Sequence, residues 1–209
     1  MRDRSTPLPI HDWTRVTAGT FHAFHLAWIA ELQRTLNGGA LSNGHYALAE
    51  QISDRPPPDR RLAIRHTTGD QIVAFIEIVS PGNVESRLAA EGFLDKAAEA
   101  LRQGAHMLIL ELIPPTAIAP TGLCGLAFEW AIGRPYDPPP DRPLTLAAFA
   151  AGETVTAYVE PTAVGRPLVA MPLFLSSDHY VDVPLEATYS AAYATMPRRW
   201  RNVIERWPD

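Results

Sequence analysis

The residue most able to do chemistry in this chain is a glutamate in the middle of an apolar run. Over Gln71–Ser80 the alternation predicts a strand, with Ile72, Ala74, Ile76 and Ile78 on one face and Val73, Phe75, Glu77 and Val79 on the other. A carboxylate set among such neighbours costs several kcal/mol without a partner, or takes up a proton. A cation offsets that cost most directly, as a metal ion or as a basic side chain. Of 18 basic residues the chain has one lysine, Lys96, and the rest are arginines. On the helix predicted from Asn83 to Gln103, Lys96 shares a strip with Ala89, Gly92, Phe93 and Ala100 and stands apart from the charged face of Arg87, Glu91, Asp95, Glu99 and Arg102. That helix must pack on the sheet holding Glu77, so the ammonium and the carboxylate are expected to approach one another.

A strand carboxylate, a second acid and a lysine make up the constellation of PD-(D/E)XK nucleases. The acids hold Mg²⁺, which acidifies water and offsets charge at the phosphate, while the lysine orients or deprotonates the nucleophile. Glu50 and Asp59 are the candidate second acids. In the usual spacing the lysine lies two residues beyond the glutamate, where this chain has Val79, so Lys96 would be a migrated lysine supplied by the helix. Strand register offers a purely structural alternative. With a four-residue turn at 67–70, His66 pairs with Gln71, Arg60 lies opposite Glu77 and neutralises it, and Asp59 faces away; a slip of one residue exchanges the faces. Glu111, inside LILELI, could add to the acidic cluster; the plainer alternative is a strand-end carboxylate that meets an arginine.

Two further groups of residues invite chemistry. His22 and His25, at i and i+3 of a helix, could bind a metal with His11 or Asp12; the plainer alternative has them hydrogen-bonded at the edge of a core built by Phe21, Phe24 and Trp28. Arg198, Arg199, Arg201 and Arg206 with Trp200 and Trp207 form a basic, aromatic C-terminal patch, suited to phosphates and a stacked base or simply to solvent. No G-x-S-x-G elbow, P-loop or G-x-G-x-x-G fingerprint occurs.

The elements that must position these residues read as α/β. A helix is expected over Thr20–Leu36, stopped by Asn37-Gly38-Gly39, then a strand over His45–Ile52. Arg61–His66 and Gln71–Ser80 form a hairpin, and the latter strand, the helix after it and the buried strand His106–Ile113 form a βαβ unit with a right-handed crossover. Beyond residue 115, short β-prone runs at 127–132, 155–160, 168–175 and 180–184 precede a helix over Leu185–Met196. The expectation is one α/β domain with a central mixed sheet: a nuclease-like core over 1–115, then a β-rich extension and C-terminal helix over 116–209. The 209 residues suit one domain, and 46% apolar with 20% charged residues suits a folded core. A net charge of −5 excludes a broadly basic nucleic-acid coat. The single cysteine, Cys124, excludes an intramolecular disulfide, and the lack of a long apolar segment points to a cytoplasmic protein. The oligomeric state is left open, a homodimer included.

Eight runs carry a resemblance: IHDWTRVTAGTFHAFHLAWIAELQ (10–33), HYALAEQ (45–51), LAIRH (62–66), FIEIVSPGN (75–83), DRPLTLAAFAAG (141–152), AYVEP (157–161), MPLFL (171–175) and VPLEATYSAAY (183–193). Together they resemble domain-of-unknown-function family 4058, itself similar to the Uma-type group of restriction-endonuclease-like proteins. The resemblance implies a mixed-sheet α/β fold of nuclease ancestry, a Mg²⁺ site and DNA as partner. Glu77 matches the family's strand glutamate before the Ser-Pro turn, Lys96 a helical lysine and Glu50 an upstream acid. The chain departs from the pattern at Val84, where relatives often carry a lysine, and in the compressed segment ISDRPPPDRR, where either Pro58-Asp59 stands in for the family's Pro-Asp pair or the metal aspartate is absent.

Overall fold

The computed structural model describes residues 10–51 and 60–205. Six strands form one mixed sheet in chain order: β1 (His45–Gln51), β2 (Arg60–His66), β3 (Gln71–Ile78), β4 (His106–Glu111), β5 (Leu144–Ala150) and β6 (Thr156–Thr162). Only β3 and β4 run parallel, because only they are joined by a helical crossover, α2 (Arg87–Arg102); every other neighbour is antiparallel. A second sheet pairs β7 (Met171–Phe174) with β8 (Tyr180–Val183). The expected mixed sheet with its βαβ unit and C-terminal helix is present, and the second half supplies both strands for that sheet and a small separate layer.

Two stretches differ from expectation. The run at 127–132 is helical, part of α3 (Gly122–Ile132), and Leu144–Ala150 is a strand that its alanines disguise. Asn83 does not cap the crossover helix. It closes a single turn over Pro81–Val84 by accepting from the Ser80 N–H and hydroxyl, both at 2.8 Å, and Ser86 caps α2 instead, its hydroxyl accepting from the Ala89 N–H.

The sheet is covered on both faces. Helix α1 (Ala18–Thr35) lies against Ala47 and Ala49 of β1 and packs on α4 (Leu185–Ala194), where the fully buried Trp28 donates its indole N–H to Thr188 at 3.0 Å. The short α5 (Arg198–Ile204) follows. Helices α2 and α3 pack together on the opposite face, the one that Phe75 and Glu77 share with Ile109 and Glu111. Among the described residues no helix is long and apolar enough to cross a membrane.

An outer strand offers unpaired backbone groups to any passing chain, and β1 is closed off by side chains. Asn37, in the turn after α1, donates its amide to the Ala47 carbonyl at 2.9 Å and accepts the Ala47 N–H at 2.7 Å, as a neighbouring strand would; Gln33 accepts the Ala49 N–H at 2.9 Å. At the other outer strand, β6, Pro161 has no N–H to offer. Asn37→Ala reopens the first edge. The variant is expected to gain mass with concentration in light scattering relative to the unsubstituted protein, and identical curves for the two would refute the clasp.

Candidate functional site

The place of Glu77 follows from one irregularity in the hairpin. His66 pairs with Gln71, as a four-residue turn requires, with Gly69 and Asp70 at φ of 75° and 55° closing the turn. Pairing then jumps from Arg65↔Ile72 to Ile64↔Ala74, so Val73 bulges and every later position shifts by one, giving Leu62↔Ile76. The slip comes from this bulge and not from the turn. In consequence Arg61 comes to Glu77: its Nη1 is 3.9 Å from the Glu77 carboxylate.

Arg61 also reaches the second predicted acid. Its Nη2 lies 3.7 Å from Glu50, directly across the β1–β2 pairing, while its guanidinium carbon stands 3.6 Å over the Phe75 ring. Arg65, next along the same face of β2, makes a short ion pair with the other Glu50 oxygen and donates to the Asp70 carbonyl at 2.9 Å; Asp70 also takes the Tyr46 hydroxyl proton in a short hydrogen bond. The hydrogen bond to Glu50 raises the Arg65 pKa above its ordinary value, and that to Asp70 raises the pKa of Tyr46. Two guanidinium groups thus lie among three carboxylates. Glu77 is 8% exposed, as expected for a strand interior, and the Nε atoms of Arg61 and Arg65 are shielded from water with no hydrogen-bond partner among the described residues.

The predicted residues are therefore only partly united. Glu77 and Glu50 meet at Arg61. Lys96 is exposed on α2 and makes no ion pair among the described residues. The helix buries Ala90, Ala97, Ala98, Ala100 and Leu101, so Lys96 stands at the rim of the packed strip and its flexible stem carries the ammonium into water. Asp59 lies outside the described residues. Mg²⁺ needs oxygen ligands at about 2.0–2.1 Å in near-octahedral array. A cation between Glu50 and Glu77 would have to displace Arg61 and break the Arg65 pair, so the donor set does not fit the ion. No group of three or more His, Cys, Asp or Glu residues suited to a metal occurs among the described residues.

Sequence reasoning weighed Arg60 and missed Arg61 and Arg65. Their signal was present in RRLAIRH, where arginines at 61 and 65 alternate with the buried Leu62 and Ile64. A groove lined by Leu26, Ile29, Gln33, Asn37 and Ala49 opens on the other face of the sheet, away from these charges. Among the described residues Glu111 meets no arginine. It accepts the N–H groups of Leu123 and Cys124, each at 2.8 Å, at the N-terminus of α3. His11 stacks on Tyr193 with centroids 3.8 Å apart and shares a 2.8 Å hydrogen bond with the Tyr189 hydroxyl. His25 is buried in the core beside Phe21. Comparison with known proteins finds no matching family model, no matching curated protein and no matching solved structure.

Proposed function

We propose that this chain is a non-catalytic binding module on a nuclease-like sheet, in which an internal guanidinium takes the place a divalent ion would hold. One observation carries this reading: Arg61 lies between Glu50 and Glu77, pinned over Phe75, and supplies the positive charge that both carboxylates require. A charge met in this way stabilises the sheet without leaving an open coordination position. The exposure of Lys96 adds support, since a lysine that positions a nucleophile must lie within hydrogen-bond reach of it.

The competing reading is a Mg²⁺-dependent endonuclease using Glu77, Glu50 or Asp59, and Lys96. Supercoiled plasmid and single-stranded DNA incubated with Mg²⁺ or Mn²⁺ separate the two. The expected result is the same background cleavage from the unsubstituted protein, Glu77→Gln and Lys96→Ala. Cleavage by the unsubstituted protein that both substitutions abolish overturns the binding-module reading.

A further inference from the structure

Helix α5 carries charge that no acid among the described residues pairs with. Arg198 and Arg199 are exposed and Arg201 is half-buried. None of the three makes an ion pair among the described residues. At 3.6 residues per turn they span an arc of about 160° within about 5 Å of helix rise. Trp200 turns inward against the core, with Arg199 lying 5.0 Å over its ring. The Arg201 Nε is shielded from water and has no hydrogen-bond partner among the described residues. Nearby acids are engaged elsewhere: Asp12 pairs with Arg15 at 3.1 Å in the turn that α5 packs against, and Glu205 accepts from the Tyr193 hydroxyl at 3.3 Å. In a chain of net charge −5, three clustered guanidinium groups without carboxylate partners are a local exception.

We infer that α5 is a docking surface for the phosphate backbone of duplex DNA. Charge complementarity chooses the occupant: a duplex carries one negative charge about every 1.7 Å of its helix axis, a dense array for clustered arginines, and guanidinium forks match phosphate oxygens. An anionic membrane fits less well, because among the described residues none of the exposed large apolar side chains (Leu48, Leu88, Ile118, Trp130, Tyr158, Val164, Val169 and Tyr180) belongs to α5, so the helix itself offers none to insert among lipid tails. Contacts of this kind hold a duplex without reading its bases. The surface uses no residue of the Glu50–Arg61–Glu77 group and stands independently of how that group is read.

The test is fluorescence anisotropy with a labelled 20-base-pair duplex in EDTA, which keeps cleavage out of the measurement. With three phosphate contacts, affinity falls about 40-fold between 50 and 200 mM salt. Arg198→Gln/Arg199→Gln keeps one contact, so it binds more weakly at the lower salt and its affinity falls only about 3-fold over that range. Both arginines are exposed, and circular dichroism checks that the variant is folded. No binding at 50 mM, or equal affinity and salt slope in the two proteins, overturns the inference. So does arginine-dependent binding to phosphatidylserine vesicles with none to the duplex.

Discussion

Glu111→Ala is expected to lower unfolding stability by about 3 kcal/mol, because it removes two hydrogen bonds and leaves the Leu123 and Cys124 N–H groups buried without acceptors. The site has no room to adapt. Gly122 at the start of α3 has φ of 75°, and a Cβ there would come within 2.5 Å of the Glu111 carboxylate. Burial pushes the Glu111 carboxyl up from 4.5 to about 7, against the opposing pull of the two N–H donors. A carboxyl raised in the folded state contributes stability that is fully present below its unfolded value. That contribution is lost as pH rises through about 7. Guanidinium unfolding followed by circular dichroism between pH 5.5 and 8.5 should show stability declining with pH in the unsubstituted protein. The decline should shrink in Glu111→Gln, whose side chain stays uncharged. Equal slopes in the two proteins would mean that Glu111 does not titrate in this range.

The second large effect is expected at Arg61. Arg61→Ala leaves Glu77 in an apolar strand without this guanidinium, strips the cation from over Phe75 and brings Glu50 and Glu77 into mutual repulsion. Removing one member of a buried pair costs about 3–5 kcal/mol, and the roughly one-fifth exposure of the Arg61 side chain lowers this to about 2–3 kcal/mol. The pairing itself is measured by a double-mutant cycle with Glu77→Gln, where a coupling of about 1 kcal/mol or more is expected. If the two losses simply add, Arg61 is not the charge that keeps Glu77 in place, and the binding-module reading loses its main support.

The fold was legible wherever an element has a wet side and a dry side. Helix α1, the hairpin, the crossover helix and α4 all show a period in the sequence because solvent imposes one. Strand β5 and helix α3 show little. All seven residues of Leu144–Ala150 are buried, and α3 buries most of its first two turns, so neither alternation nor a polar stripe survives to be read. The alanines of β5 even favour the wrong element. At the site, Glu77 was identifiable because a carboxylate among isoleucines needs a reason. Its partner was not, because the bulge at Val73 depends on how two strands settle against each other. A shift of one residue brings Arg61 to the acid. The exposure of Lys96 was hidden for a different reason: helical angle places it beside the packed strip, but a long stem at that position reaches water as easily as the interior.

The strand order equals the chain order, so the large sheet can grow by adding each new strand beside the last as the chain emerges from the ribosome. The aromatic layer beneath it cannot. Trp28 meets Thr188, and His11 meets Tyr189, across 160 and 178 residues. For most of its synthesis the nascent protein must therefore hold Trp13, Phe21, Phe24 and Trp28 without the C-terminal helix that shelters them. During that interval these aromatic side chains are without the partners that later bury them.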